Sequence, residues 1–330
     1  MKCKTFSISA RGFTHLFLIL IASLFYSARL FGYEKDYYYY RLIFEQIDVD
    51  VMLFFAKYEP AFIGINYFTK VIGLSFEQYS FLIIALSLWI KGFLFEKGRF
   101  WFLPFMIYFV WLSWLHEGTQ IRNALSISFF YLAIYLLANE KNKLSFLAYL
   151  TSACFHITSL IFLPIYIFVI YYGLKSINNF SILIVSIISS IVIYFLSNYV
   201  GYIHPNFEGY IGIGSNFTLL SLKMLPMYLL IWFYRPNNSS TGGYKLHFFI
   251  CIFAIFASSS LFQFGSVPMR VVEFSFLSYL LLANSYSISR KKSFSLLSII
   301  LILAILSAVK FLYFDGDYFT FDQDRIPSGI

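Results

Sequence analysis

Charge is what this sequence has least of. Asp, Glu, Lys and Arg make up 12% of its 330 residues, about half the roughly 25% of a soluble domain. Hydrophobic residues make up 60% and the mean hydropathy is +0.74. That balance excludes an ordinary soluble enzyme and leaves a polytopic membrane protein. Cysteine is scarce as well: Cys3, Cys154 and Cys251 form an odd, widely spaced set with no CxxC. A disulfide framework and a zinc site are therefore not expected, and Cys154 and Cys251 read as small buried hydrophobes in apolar runs. The stretch HEGTQ has Gln120 where an HExxH metalloprotease needs its second histidine. No cluster of carboxylates is present of the kind that holds Mg²⁺, so the chain is expected to use no metal and no cofactor. Fixed-period repeats and low-complexity linkers are also missing, apart from NNSSTGG at 237–243, and residues 1–330 read as one domain.

The net charge of +8 does not point to nucleic acid, because the basic residues are dispersed in short loops between apolar runs. What is abundant is aromatic: Phe 42 and Tyr 27, which suits interfacial belts and also sugar-stacking surfaces. Lys2, Lys4 and Arg11 precede an apolar run from Phe13 to about Phe31, a signal anchor with a cytoplasmic N-terminus. Further spans are expected at about 79–95, 100–115, 119–138, 144–157, 158–174, 178–200, 217–234, 246–264, 267–286 and 294–314. Two of these, 144–157 and 158–174, run together, and Pro164 is expected to mark the break. The fold class is thus all-α, a polytopic integral membrane protein of about 11 transmembrane helices. A further re-entrant or interfacial helix is expected at 61–74, too short for a span of ~20 residues.

The loops alternate in character. EKGR (96–99), NEKNK (139–143), Lys175, the 235–245 loop and SRKK (289–292), with Lys91 and the N-terminus, hold 14 of the 24 Lys and Arg residues. By the positive-inside rule they are cytoplasmic. The segment 32–59 carries six acids against three bases and reads as an outer loop; the acidic tail 315–330 falls on the same side. HEGTQIR, the FHITS turn at 155–159, the 201–216 loop and QFGSVPMR (263–270) then share the outer face.

The chain centres on HEGTQIRNA, His116 to Ala124, where ionisable side chains sit between two membrane-length runs. Ionisable residues at that depth are costly and are functional candidates by default. Thr119 is expected to cap the helix that follows, which makes Arg122 its third residue. A cation at the positive end of a helix dipole is explained by an anion beside it, such as a phosphate or pyrophosphate; pairing with Glu117 is the plainer alternative. Glu117 is a candidate general base, or a group that orients Arg122. His116, one turn before Gln120, is an interfacial histidine or a catalytic one. His156 stands alone in an apolar run at the outer end of a span, where a neutral imidazole can take a proton from a sugar hydroxyl. Arg270 and Glu273 have the i, i+3 spacing of an intrahelical ion pair, and Arg270 equally suits a diphosphate. Asp36 and Glu59 read most simply as solvated surface acids, and His204 and Glu208 are looser candidates.

The run QIR (120–122), followed after about thirty residues by ACFHITSLIFLP (153–164), resembles the EpsG family of Wzy-type polysaccharide polymerases. KDYYYYRLIF (35–44) and YEPAFIGINYF (58–68) are similar to that family's D-x-x-x-Y and E-P-x-F patterns, and Arg270 sits where similar proteins carry an arginine. The resemblance covers roughly residues 30–285. It departs at Gln120, two positions before Arg122 where the family's Q-x-x-R has three. The resemblance implies a glycan polymerase at the outer face of the bacterial cytoplasmic membrane, with undecaprenyl-pyrophosphate-linked donor and acceptor in the bilayer and a flippase and chain-length regulator as partners. It implies catalysis by His156, Glu117 and Arg122, and substrate binding by Arg122, Arg270, Gln120, His116, Asp36 and Glu59. Two alternatives are a flippase for lipid-linked oligosaccharide and a membrane O-acyltransferase. The first calls for polar residues spread through the membrane depth and internal repeats; the second leaves both arginines without a role.

Overall fold

A computed structural model describes residues 10–28, 35–48, 51–113, 116–174, 178–203, 236, 240–264 and 267–314. Helices joined by short turns account for them, as expected where hydrocarbon leaves no water to satisfy backbone groups. In chain order they are α1 (Ala10–Ser27), α2 (Lys35–Gln46), α3 (Val51–Lys57), α4 (Pro60–Val71), α5 (Phe76–Glu96) and α6 (Phe102–Tyr108). A π-helical turn, Phe109–Ser113, continues α6. Then come α7 (Ile121–Ala138), α8 (Asn142–Phe155), a 3₁₀ turn (Ile157–Phe162), α9 (Leu163–Tyr172), α10 (Asn179–Ile203), α11 (Gly242–Ser260), α12 (Val267–Ala283) and α13 (Arg290–Phe314).

Among the described residues, four segments are long and apolar enough to cross a membrane: Phe76–Glu96, Ile121–Ala138, Asn179–Ser197 and Gly242–Ser260. Phe13–Ser27, Phe102–Ser113 and Ile157–Tyr172 are apolar but shorter. The runs expected to span are therefore helical, but length and composition support fewer crossings than the count of about 11. The expected span at 217–234, His204, Glu208 and the tail 315–330 lie outside the described residues. The segment 32–59 is not a plain loop, for its described part holds α2 and α3. The short helix expected at 61–74 is α4, whose 12 residues extend about 18 Å. Pro164 does not make the break near 158; it sits in the first turn of α9, and the break falls at His156.

Small and hydroxylated residues set the helix spacing. Ser126 on α7 and Ser152 on α8 exchange hydrogen bonds, each hydroxyl donating to the other's carbonyl at 2.9 and 2.8 Å. Farther along, Ser145 Oγ donates to Ala133 O at 2.8 Å. Where α1 crosses α5, a Cβ on Gly92 would stand 2.7 Å from His15 Nε2. That contact leaves His15 Nδ1 2.8 Å from Glu96. The core beneath the site is aromatic: Phe162 lies 5.0 Å from Phe130 and 5.5 Å from both Phe253 and Phe274, centroid to centroid.

One end of the bundle is closed by Asn284. It accepts from Arg99 N at 2.7 Å and, through Oδ1, from Phe100 N at 2.6 Å, and it donates to Phe95 O. Arg99 also donates to Ile288 O. This end gathers the basic EKGR and SRKK segments. The opposite end gathers the α3–α4 junction, the start of α7, the break between α8 and the 3₁₀ turn, and the start of α12.

Candidate active site

Glu59 is the pivot. Pro at the first position of α4 fixes the helix start and supplies no N–H of its own. Glu59 before it is extended, with φ −64° and ψ 135°, and its side chain makes no cap bond. That carboxylate reaches across the bundle instead. Oε2 accepts from Arg122 Nη1 at 2.7 Å, and Oε1 accepts from His156 Nδ1 at 2.8 Å. The reading of Glu59 as a solvated surface acid is thereby overturned, since its side chain is 16% exposed and holds two elements together.

His156 owes its position to a backbone break. It closes α8 in extended conformation, φ −158° and ψ 121°, and its carbonyl accepts from Ser159 N and Oγ. With Nδ1–H given to Glu59, Nε2 is left as acceptor. Arg270 Nη1 stands 3.3 Å from it and Thr158 Oγ1 3.4 Å. Arg270 therefore turns to His156, while Glu273 accepts from Asn123 Nδ2 at 3.1 Å; the expected Arg270–Glu273 ion pair gives way to these contacts.

The N-cap of α7 is Gln120, with no side-chain cap. Thr119 is thus not the cap, and Arg122 is the second helical residue. The anion required beside this cation is supplied by the chain itself, as Glu59. The Arg122 guanidinium also lies 5.4 Å from the Tyr40 ring, 6.0 Å from Tyr58 and 5.2 Å from Phe62, within cation–π range. Burial works against the Glu59 anion, but the hydrogen bond from His156 and the Arg122 charge outweigh it and hold the carboxyl down at about 2. Burial, with Arg270 and Arg122 nearby, pulls His156 below the ordinary histidine value despite its carboxylate partner. The pair is a neutral imidazole on a carboxylate, the arrangement that orients a histidine as a base.

His116 and Glu117 do not join this site. Ser113 O accepts from both Glu117 N and Gly118 N, which ends the π turn and folds the segment inward. There Glu117 Oε1 accepts from Lys91 Nζ at 2.6 Å and Ser87 Oγ at 2.9 Å, and Oε2 from Tyr108 at 2.7 Å. Tyr108 is also 3.0 Å from His116 Nδ1. Lys91 and Glu117 are fully buried. Lys91 is therefore not one of the loop cations with which its charge was grouped, and Glu117 is partnered by Lys91, not by Arg122. Gln120 shares no bond with His116; its Oε1 accepts from Asn123. Asp36 stays exposed in the first turn of α2, one turn from Tyr40.

Tyr40 and Tyr58 lie in the two upstream runs quoted for the resemblance but carry no role in the sequence reading; Asn123 at this site and Lys91 in the buried cluster are absent from it as contributors. An ionisable residue inside an apolar run is itself a signal, and Lys91 could have been found that way. The tyrosines were hidden among 27 of their kind. Among the described residues, no three His, Cys, Asp or Glu side chains gather as metal ligands would.

These features define a multi-pass helical membrane protein with a carboxylate–histidine–arginine centre at one end of its bundle. The chain belongs to the EpsG family, whose model matches residues 13–322, and this is the family of Wzy-type polysaccharide polymerases. No curated protein and no solved structure matches it.

Proposed function

We propose that the protein polymerises undecaprenyl-pyrophosphate-linked oligosaccharide repeat units at the outer face of the bacterial cytoplasmic membrane. The observation that carries this reading is His156 held between Glu59 and Arg270. One nitrogen is fixed by a carboxylate, and the other is a basic lone pair facing a cation. Binding of the donor's diphosphate draws Arg270 onto its oxygens and frees Nε2. Nε2 then takes the proton of the acceptor hydroxyl, and the hydroxyl oxygen attacks the anomeric carbon of the donor glycan. The bond from that carbon to the diphosphate oxygen breaks, and its electron pair leaves with the lipid diphosphate. Arg270 neutralises this leaving group, while Arg122 keeps Glu59 ionised and adds a second positive charge to the site. Glu117 has no step in this scheme, because its oxygens are committed to Lys91, Ser87 and Tyr108.

Sidedness follows from charge. The end closed by Asn284 carries the basic segments and is cytoplasmic by the positive-inside rule, which turns the Glu59–His156 centre outward and leaves the N-terminus inside. A flippase then supplies both substrates to that face, and a chain-length regulator is the second partner. The test is the polysaccharide size profile of cells carrying His156→Ala or Arg270→Ala, with membrane levels of each variant verified. Collapse to a single repeat unit with accumulation of lipid-linked units supports the reading. Persistence of long chains in either variant removes that residue from the chemistry. Failure of single units to reach the outer face replaces polymerisation by transport.

A further inference from the structure

The four consecutive tyrosines of α2 divide into two pairs. Tyr37 and Tyr40 are buried, at 2% and 4% exposure, whereas Tyr38 and Tyr39 are 52% and 44% exposed. The Tyr39 hydroxyl is hydrogen-bonded to that of Tyr58, with the two rings edge to face at 5.9 Å. Tyr58 in turn stacks on Phe54 at 6.1 Å and 23°. Tyr58 precedes Glu59 in the chain, and its ring lies 6.0 Å from the Arg122 guanidinium. A half-open aromatic ledge thus runs without interruption into the Glu59–His156 centre.

We infer that this ledge, Tyr39 with Tyr58 and Phe54, is a carbohydrate subsite that holds the uncharged sugar rings of the lipid-linked substrate. The inference rests on the polymerase reading and adds to it where the glycan lies. A pyranose presents a face of C–H bonds that packs on an aromatic face, and a rim of hydroxyls that phenol groups can bond. Charge separates this ligand from a phosphate. The cations on the neighbouring surface are already engaged, Arg41 by Glu45 at 2.7 Å and Lys70 by Asp48 at 2.5 Å. Arg122 is likewise held by Glu59, so the diphosphate is left to Arg270 and the sugar to the ledge. Interfacial tyrosines that only anchor a helix meet headgroups one by one; here two phenols are bonded to each other at the mouth of the site.

The test uses the full chain in lipid nanodiscs with lipid-linked single repeat units extracted from cells lacking the protein. Initial rates are measured against unit concentration for wild type, Tyr39→Leu and Tyr39→Trp. Leucine keeps the apolar bulk that a bilayer contact needs, and tryptophan keeps an aromatic face. Tyr39→Leu is expected to raise KM about tenfold with kcat within about twofold of wild type, and Tyr39→Trp to stay near wild type. An unchanged KM in Tyr39→Leu, or a loss confined to kcat, overturns the subsite. Saturation-transfer NMR with the free oligosaccharide, released from the same units by mild acid, separates the two claims. Tyr39-dependent binding by a wild-type protein that turns over no units keeps the subsite and removes the polymerase reading. Turnover with no effect of Tyr39→Leu on rate or binding removes the subsite alone.

Discussion

Two clusters in this molecule use nearly the same side chains to opposite ends. Each has one carboxylate, one histidine, at least one tyrosine and at least one cation. At the α3–α4 junction, Glu59 bonds His156 and Arg122, and Arg270 faces the remaining imidazole nitrogen. Behind the start of α7, Glu117 bonds Lys91, Ser87 and Tyr108, and Tyr108 meets His116. The first is partly open, with Glu59 and Arg122 side chains 16% and 17% exposed; the second is sealed, with Lys91 and Glu117 at 0%. Lys91 Nζ and Ser87 Oγ also donate to Ala124 O, in the first turn of the helix that carries Arg122. The sealed cluster therefore anchors a helix, and the open one is where the proposed reaction places substrate. Residue type does not distinguish the two; access does.

The largest effect expected is from His156→Ala. Loss of the base lowers polymerisation by about 10²–10⁴ at unchanged membrane level. The matching change in the sealed cluster, His116→Ala, lowers the amount of folded protein and leaves the rate per folded molecule near wild type. A radiolabelled-unit incorporation assay normalised to folded protein separates the two. Equal losses per molecule would erase the distinction between the clusters.

Next in size is the buried ion pair. Lys91→Met or Glu117→Leu alone strands a charge in a dry interior and should cost about 3–5 kcal/mol. The double variant, with no charge left, should regain most of it. Thermal unfolding in detergent reads both. Single variants with normal melting temperatures and no activity would move the sealed cluster into the chemistry.

Glu59→Gln tests orientation. It removes the anion that favours an imidazolium, so the His156 value, already depressed by burial, falls further. The acid limb of the kcat/KM profile starts below the ordinary histidine value of about 6.5 and should move to lower pH in the variant, with the rate also reduced. A limb that moves up, or stays, assigns the titration to another group.

The smallest effect concerns stability in acid. Glu59 is held at about 2 in the folded protein against an ordinary value of about 4.3. Its contribution is complete above the ordinary value and is lost as pH falls towards 2. The melting temperature of wild type should therefore decline more steeply between about pH 5 and 3 than that of Glu59→Gln. Parallel curves would mean that the Glu59 bonds add nothing to folding.

Several features of the site were legible before the fold was known. Arg122, His156 and Arg270 stood out because each is an ionisable group at the edge of an apolar run, where desolvation makes it improbable without a use. The bonds between them were not legible. Glu59 and Glu117 are both glutamates near a helix start, and proximity in sequence offers Glu117 as the plainer alternative to a bound anion beside Arg122. The fold removes that alternative, since Glu117 is buried against Lys91 and Arg122 bonds Glu59. Gln120 lies against Asn123 and Asp36 at an exposed helix start, placements that sequence spacing alone does not give.

The sequence by itself determined that the chain is helical and lodged in a membrane, because apolar runs with so few charges have no other stable environment. It also determined the family, and the sparse ionisable residues from which any site must be built. The tertiary structure decided which carboxylate serves the histidine and which is walled in. Side chains 97 and 63 residues apart in sequence met Glu59 through helix packing, and no local pattern encodes a contact made at that range. Burial, too, is a property of the packed bundle, and it separates two clusters that read alike as letters.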